Sequence, residues 1–232
     1  MTITSPHNEQ LTQIRKLAGR KWRDKLRQFV AEGEDLLEAA DAAGWEPLVR
    51  LVAEGSGLAG EEVKPHLLQQ VSQLGSGTRA LGVYAQRWSE ATGPLCLTLW
   101  GVNDPGNVGT ALRSALAFGA ASVALGPGTA DPYGPKAVRA SMGALFSVPV
   151  ARVRAVEELP GRTIALVAHG GEPLAPDGGT TLVVGAEREG LPADVVAACD
   201  ATATIPVAAE SLNAAMAATV ALYECNRRMA AP

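Results

Sequence analysis

From about residue 95 onward the chain alternates short apolar segments with segments of helical periodicity, and this alternation constrains the fold more than any other feature. The predicted strands cover residues 95–101, 122–125, 147–150, 163–168, 181–184 and 201–205, and the predicted helices cover residues 107–118, 136–142, 193–198 and 211–228. Strands that are separated by helices usually pair in parallel, because each crossover returns the chain to the same end of the sheet. The sequence therefore predicts an α/β domain built on a parallel sheet.

A breaker segment divides the chain into two predicted domains. It covers residues 87–94, reads Arg-Trp-Ser-Glu-Ala-Thr-Gly-Pro, and ends in a Gly-Pro pair that neither a helix nor a strand continues through. Before it, the pattern predicts strands at residues 29–31, 47–53 and 81–85 and helices at residues 35–43 and 63–74. We therefore predict a small N-terminal α/β domain at residues 1–88 and a larger domain at residues 94–232.

Composition is that of a globular protein. The chain has 232 residues, of which 47% are hydrophobic and 19% charged, enough to build a sizeable core. The N-terminal residues are polar, and no apolar run approaches the roughly 20 residues of a membrane-spanning helix, so we predict a cytoplasmic location. Cys96, Cys199 and Cys225 are far apart, which suggests neither disulfides nor a zinc site. We expect them to be buried hydrophobic residues, and we expect no metal.

Positive charge is concentrated near the N-terminus of an otherwise acidic chain. The net charge is -4, yet residues 11–29 contain seven basic residues and a single acid, Asp24. Such a cluster is typical of a phosphate-binding patch, although a solvated helix face would look the same. If residues 11–29 formed one continuous helix, Lys16, Arg20, Arg23 and Arg27 would share a face. The candidate phosphate-binding residues here are Arg15, Lys16, Arg20, Lys21 and Arg23.

Three polar, glycine-containing segments lie at the ends of predicted strands. They read Asn-Asp-Pro-Gly-Asn-Val-Gly-Thr-Ala-Leu-Arg at residues 103–113, Val-Gly-Ala-Glu-Arg-Glu-Gly-Leu-Pro at residues 184–192, and Ile-Pro at residues 205–206 followed by Glu-Ser-Leu-Asn at residues 210–213. In order and spacing they resemble the three signature motifs of the SpoU (TrmH-like) RNA ribose 2′-O-methyltransferases of the SPOUT superfamily.

That resemblance implies a fold and a reaction. It implies a C-terminal domain with a deep trefoil knot, a small N-terminal L7Ae-like RNA-binding domain, and a homodimer formed through the C-terminal domain. The cofactor would be S-adenosylmethionine, the substrate RNA, and the reaction methylation of a ribose 2′-hydroxyl. The type of N-terminal domain favours rRNA over tRNA.

Matching the motifs residue by residue implies the site. The implied catalytic residues are Arg113, Asn107, Glu187, Ser211 and Asn213. We expect Arg113 to stabilise the developing alkoxide, because a protonated guanidinium is a poor base. Asn107 and Ser211 also suit helix N-caps, and Glu187 could pair with Arg113. Implied cofactor-binding residues are Val184, Gly185, Glu187, Gly190, Ile205, Pro206, Ser211, Leu212 and Asn213. The implied RNA-binding residues are the basic residues named above together with Lys136, Arg139 and Arg188.

Two alternatives stay open at this level. A noncatalytic RNA-binding protein could keep the same fold and motifs. A dinucleotide-dependent oxidoreductase would also have glycine-rich turns, but residues 104–109 do not spell Gly-x-Gly-x-x-Gly. His169 follows a predicted strand and could lie at the edge of the cofactor pocket, although solvent exposure would explain it equally well.

Overall fold

The computed structural model describes residues 2–73, 77–176, 178–208 and 212–229. The helices are α1 Glu9–Leu17, α2 Arg20–Leu26, α3 Glu34–Ala42, α4 Pro65–Val71, α5 Pro105–Ala117, α6 Pro135–Ala140, α7 Ala144–Ser147, α8 Ala193–Ala198 and α9 Ala214–Met229. The strands are β1 Gln28–Glu32, β2 Val49–Ala53, β3 Glu61–Val63, β4 Ala80–Ala85, β5 Leu95–Leu99, β6 Ser122–Leu125, β7 Val150–Arg152, β8 Arg162–Leu166, β9 Glu172–Pro173, β10 Thr180–Val184 and β11 Ala201–Thr204.

Two sheets organise these elements. The first has the order β1-β4-β2-β3, and the second has the order β7-β6-β5-β10-β8-β11-β9. Every neighbouring pair in the second sheet that the structure describes is parallel. The predicted α/β fold with a parallel C-terminal sheet is therefore confirmed. The carboxyl ends of its strands share one edge, which is where such sheets bind ligands.

Several element boundaries differ from prediction. The basic segment is not one helix: α1 is followed by Gly19, which precedes α2 in an extended conformation, so the common face that a continuous helix would have given does not form. The helix predicted at residues 63–74 is shorter, because Glu61–Val63 pairs with β2 as a strand and Pro65 starts α4. The strand predicted at residues 147–150 begins only at Val150, because Ser147 ends the short helix α7.

An aromatic cluster joins the two sheets. The ring of Phe29 in β1 lies 4.8 Å from that of Tyr133 and 6.0 Å from that of Phe146, both of which belong to the C-terminal part of the chain. Trp45 contacts Phe146 edge to face at 5.2 Å and donates its indole N–H to the Phe146 carbonyl. Because these residues belong to one hydrophobic cluster, the N-terminal sheet packs directly on the parallel-sheet domain.

Arg23 is part of the same junction and corrects a prediction. Its guanidinium forms a salt bridge of 2.8 Å with Asp131, and the two side chains are each only 6% exposed. It also donates to the carbonyls of Leu17 and Ala18. The prediction that Arg23 binds RNA is therefore wrong in this structure, because a buried guanidinium with three partners has no access to a phosphate.

The predicted burial of the cysteines is confirmed for two of the three. Cys96 and Cys225 are buried and Cys199 is half-buried, all as free thiols. Burial raises the pKa of Cys225 to about 12, so this thiol stays protonated at neutral pH. Within the described residues, no helix has both the length and the apolar character needed to cross a bilayer.

Candidate functional site

The first motif forms the start of α5. Asp104 is the N-cap: its Oδ1 accepts from the backbone N–H groups of Gly106 and Asn107 at 2.6 and 3.2 Å. Pro105 occupies the first helical position, where its missing N–H costs nothing. The prediction that Asn107 is the cap is therefore wrong. Because Asp104 caps the helix, the Asn107 side chain is free to make contacts across the site.

Asn107 connects the three motifs through hydrogen bonds. Its Nδ2 donates to Glu187 Oε1 in the second motif, and its Oδ1 accepts from Asn213 Nδ2 in the third motif at 3.2 Å. The amide orientation follows from chemistry, since a carboxylate can only accept and must face the NH₂ group. Asn213 Oδ1 accepts from the N–H groups of Ala215 and Met216, so Asn213 caps α9. Ser211, predicted as that cap, lies outside the described residues.

A tight hairpin carries the second motif. Ala186 and Gly190 exchange two backbone hydrogen bonds, of 3.2 and 3.0 Å, which close residues 186–190 into a loop directly after β10. A Cβ at Gly185 would lie 2.3 Å from the carbonyl carbon of Gly190, so only glycine allows this closure. Gly190 has φ of +67°, which also favours glycine. The hairpin thereby places Glu187 and Arg188 at its tip.

A cavity of about 570 Å³ opens beside this hairpin at the carboxyl edge of the parallel sheet. Its volume is within the range of small-molecule sites. Its walls come from the ends of β8 and β10, from the segment after β11 and from the start of α9. The lining residues are Leu166, Val167, Ala168, His169, Val184, Gly185, Ala186, Glu187, Arg188, Glu189, Gly190, Leu191, Ile205, Val207, Leu212, Ala214 and Ala217.

Most of the predicted cofactor-binding residues line this cavity. They are Val184, Gly185, Glu187, Gly190, Ile205 and Leu212. Pro206 and Asn213 are described but are not among the lining residues, and Asn213 lies instead in the hydrogen-bonded cluster with Asn107. His169, which the sequence suggested for the edge of the pocket, is among the lining residues, but sequence reasoning missed residues 166–168, which are the last residue of β8 and the two that follow it. The pattern identified β8 as a strand, but it does not reveal that β8 pairs with β10.

Arg113 lies apart from the other predicted catalytic residues. It is exposed on α5, six residues after Asn107 and so about 9 Å farther along the helix axis. It makes no hydrogen bond or ion pair with another described residue. The partner suggested for Glu187 is thus not the observed one, since Glu187 accepts from Asn107. The Arg113 guanidinium is left available to a substrate.

The remaining RNA candidates are exposed, and several have protein partners. Lys136 pairs with Asp104 at 2.8 Å, Arg15 donates to the Pro6 carbonyl, and Lys16 lies 5.0 Å from the Trp22 ring centre. Arg20 lies 3.6 Å from Asp24. The side chains of Lys21, Arg139 and Arg188 are exposed, and Arg188 also lines the cavity. Exposed pairs of this kind can exchange partners at little energetic cost.

Loss of the Asp104 cap is expected to destabilise the protein. The Lys136 ammonium and the N–H groups of the first turn hold the pKa of Asp104 below its usual value. The contribution of Asp104 is therefore present above its unfolded-state pKa and disappears as pH falls through the lower folded-state pKa. We expect Asp104→Ala to cost about 1 kcal/mol in urea unfolding at pH 7, and we expect this difference to shrink below about pH 4.

Asp104→Asn is the matched control. Asparagine retains the capping oxygen and loses only the ion pair with Lys136, which solvent screens because the carboxylate is 44% exposed. We therefore expect a clearly smaller loss for asparagine than for alanine. Equal losses for the two variants would show that the ion pair, and not the cap, carries the effect.

Comparisons with known proteins agree with this geometry. Residues 94–223 match the model of the SpoU rRNA Methylase family, which is more than half of the chain. A curated relative is the 23S rRNA (guanosine(2553)-2'-O)-methyltransferase RlmP of Bacillus subtilis, 29% identical over 95% of this chain and 97% of the relative.

Solved structures extend the match to the whole chain. An AdoMet-bound rRNA methyltransferase from Sinorhizobium meliloti superposes with a TM-score of 0.88 at 28% identity and covers 100% of this chain and 99% of the other. The SpoU methyltransferase AviRb from Streptomyces viridochromogenes, in complex with AdoMet, superposes with a TM-score of 0.85 at 26% identity, covering 97% of this chain and 100% of the other. On its motifs, its parallel sheet and these matches, the chain belongs to the SpoU rRNA methylase family.

Proposed function

We propose that this protein transfers a methyl group from S-adenosylmethionine to a ribose 2′-hydroxyl in RNA, with rRNA favoured over tRNA. The observation that carries the proposal is the Asn107 side chain, which hydrogen bonds to Glu187 and Asn213 and so gathers three distant motifs beside one cavity. The 23S rRNA activity named for the Bacillus relative and the rRNA activity named for the Sinorhizobium structure support the choice of substrate.

The cavity fits the donor. Leu166, Ile205 and Leu212 provide apolar walls for an adenine ring, and residues 185–191 provide backbone donors and acceptors for its polar edge. S-adenosylmethionine supplies an activated methyl group on a sulfonium when bound, so the protein has mainly to orient the two reactants and stabilise charge. The hydrogen bonds of Asn107 fix the positions of the hairpin and the start of α9, between which the donor would be held.

Arg113 and Glu187 have separate roles in this mechanism. Glu187 lies at the tip of the hairpin, and its carboxylate accepts a hydrogen bond from Asn107. Glu187 thereby fixes the orientation of the Asn107 side chain beside the cavity. Arg113 carries a permanent positive charge and stabilises the alkoxide that develops as the 2′-hydroxyl loses its proton. Its five N–H donors can bind a neighbouring phosphate at the same time.

The family architecture completes the proposal. The family resemblance implies that the segment carrying the last two motifs forms a trefoil knot, and that segment follows β10, which lies between β5 and β8. The N-terminal sheet, preceded by the basic helices, would be the L7Ae-like RNA-binding domain within residues 1–88, with catalysis in residues 94–232 in the cytoplasm. Noncatalytic RNA binding with the same fold is the alternative.

A homodimer is supported by an apolar face on α9. Met216, Val220 and Tyr223 recur at helical spacing and are 58%, 42% and 53% exposed, and Leu116 on the adjacent α5 is 47% exposed. Leu116 is three residues from Arg113, so both project from the same side of α5. A second copy packing on this face would bury the apolar residues and narrow the space around Arg113.

Methyl transfer can be tested directly. Purified protein is incubated with tritiated S-adenosylmethionine and unmodified transcripts of 16S rRNA, 23S rRNA or tRNA, and the products are digested to nucleosides. We expect label in a 2′-O-methyl nucleoside from rRNA. Donor binding without transfer to any of these RNAs would favour the noncatalytic alternative, and label in a base would contradict the ribose assignment. Binding of NAD but not of S-adenosylmethionine would show that the cavity is not a site for the methyl donor.

A further inference from the structure

Four exposed arginines lie on segments of the chain that meet at the junction of the two sheets. We call this group the junction strip: Arg20 and Arg27 from α2 and its end, Arg87 from the linker, and Arg152 from β7. Arg20 and Arg152 both approach Asp24, at 3.6 and 3.7 Å. Sequence reasoning did not consider Arg87 or Arg152, because neither belongs to a charged run.

Tyr133 contacts the segment that carries Arg87. Its hydroxyl donates to the Arg87 carbonyl and accepts from the Arg87 N–H. Burial raises the pKa of Tyr133, and the positive charges of Arg27 and Arg152 act on the same hydroxyl in the opposite direction. The Trp88 ring, on which Arg152 stacks, lies 5.1 Å from the Tyr133 ring, and the Arg27 carbonyl accepts from the N–H of Gln86, the residue before Arg87. These contacts bring together the segments that carry Arg27, Arg87 and Arg152, although 125 positions separate the first from the last.

Arg152, the member of the strip that belongs to the parallel sheet, lies on the same edge of that sheet as the cavity. Arg152 pairs with Leu125, Leu125 with Leu99, and Leu99 with Val184, the residue that precedes the second motif. Three strand spacings of roughly 4.8 Å place the backbone of Arg152 about 14 Å from that of Val184. Since all these strands are parallel, both residues are at carboxyl ends and face the same side of the domain.

Two of the arginines are held in place by tryptophan rings. The guanidinium carbon of Arg152 lies 3.9 Å from the ring centre of Trp88, and that of Arg87 lies 4.1 Å from the ring centre of Trp45. Stacking on a ring face leaves the N–H donors at the rim of a guanidinium accessible. One N–H group of Arg87 donates to the Gly44 carbonyl at 3.4 Å, and its other donors have no acceptor among the described residues. Because the side chains are already ordered, binding a phosphate would cost less conformational entropy than binding by a free arginine.

The ion pairs with Asp24 leave N–H donors of Arg20 and Arg152 available. Its contacts with Arg20 and Arg152 exceed hydrogen-bond length, and both arginines are about half exposed, so the ion pairs are weak. One carboxylate between two guanidiniums also leaves an excess of positive charge. This surplus is the electrostatic requirement for binding a polyanion.

We infer that the junction strip binds phosphates of the substrate RNA several nucleotides away from the reacting ribose. The inference rests on the proposed function for the identity of the polyanion, and it adds the path of the RNA along the carboxyl edge of the sheet. Contacts of this kind set the position of the RNA without reading its sequence. The strip therefore orients the RNA, while the loops around the cavity receive the ribose.

The test is RNA affinity as a function of salt. We measure the fluorescence anisotropy of a fluorescein-labelled RNA hairpin of mixed sequence with an unpaired loop, using wild type and Arg87→Gln/Arg152→Gln. We expect the dissociation constant of the double variant to rise about tenfold, and the slope of log affinity against log salt to fall by about one for each phosphate that the variant no longer neutralises. Unchanged affinity and slope would overturn the inference.

Arg79→Gln is the matched control. Arg79 is 54% exposed and pairs with Glu34, as Arg152 pairs with Asp24, but it precedes β4 whereas Arg87 follows it. Arg79 is therefore at the opposite end of the first sheet. We expect its substitution to leave affinity and slope unchanged, and an equal loss of affinity in the control would contradict a localised strip.

A gain-of-binding variant excludes misfolding as the cause. Asp24→Asn removes the carboxylate that attracts Arg20 and Arg152, so we expect affinity to rise roughly twofold or more. A folding defect would not produce this gain, and weaker binding by Asp24→Asn would count against the strip. The inference and the proposed function can fail separately. If the wild type transfers methyl groups but the double variant binds RNA as well as the wild type does, only the inference is overturned. If the double variant binds RNA more weakly but the wild type transfers no methyl group, only the proposed function is overturned.

Discussion

Replacing Arg113 by alanine is expected to lower the turnover rate of methyl transfer by roughly 10²- to 10³-fold, the range seen when one donor to a developing oxyanion is removed. Arg113 is exposed and makes no hydrogen bond or ion pair with another described residue, so its loss should not disturb the fold. It is also not among the residues that line the cavity, so we expect affinity for S-adenosylmethionine to be largely kept.

Two measurements check this expectation: steady-state kinetics with the unmodified RNA that the wild type methylates, and calorimetric titration with S-adenosylmethionine. Arg79→Ala makes the same change at an exposed arginine of the N-terminal sheet and should retain wild-type turnover. A loss confined to KM, with kcat unchanged, would show that Arg113 only binds RNA. If Arg113→Ala had the same kcat and KM as wild type, Arg113 would have no role in the mechanism.

The fold was largely predictable, because alternating strands and helices dictate parallel pairing whatever the details of the loops. Residues 122–125 and 193–198 have the predicted bounds to the residue. Strand order was not predictable, because hydrophobic pattern reports burial and not which buried strand is the neighbour. That is why Leu166, Val167 and Ala168 went unrecognised as part of the cavity wall, although His169 was identified as a candidate.

The site was predictable as a set of segments but not as a set of contacts. The motifs indicated Asn107, Glu187 and Asn213, and the structure brings their side chains together. Which residue pairs with Glu187 depends on helix position, since Asn107 is in the first turn of α5 and Arg113 is near its third. One signal was overlooked: Asp104 followed by Pro105 is itself a helix-start pattern, and it identifies the cap.

Arg23 illustrates a limit of charge counting. Within a run of basic residues, nothing in the local sequence distinguishes the one cation that turns inward. Its partner, Asp131, is 108 positions away, and the break at Gly19 rotates α2 relative to α1. The contact is visible only once the N-terminal sheet is packed on the parallel-sheet domain.

Replacing Arg23 by methionine is expected to cost about 3 to 5 kcal/mol of folding free energy, the largest stability effect we predict. The substitution keeps an unbranched apolar side chain but leaves the Asp131 carboxylate, only 6% exposed, without its cation. Asp131 also accepts from the Tyr133 N–H, so it cannot readily turn to solvent. Urea unfolding at pH 7 measures the loss.

A double-mutant cycle separates the value of the pair from the penalty of breaking it. Asp131→Asn retains an oxygen for the Tyr133 N–H, and Arg23 retains the Leu17 and Ala18 carbonyls, so we expect this variant to lose less than Arg23→Met. The double variant has no buried charge left at the junction, and we expect it to be more stable than Arg23→Met alone. If the two losses simply add, Arg23 and Asp131 have no coupling energy, and the prediction that the ion pair stabilises the junction is wrong.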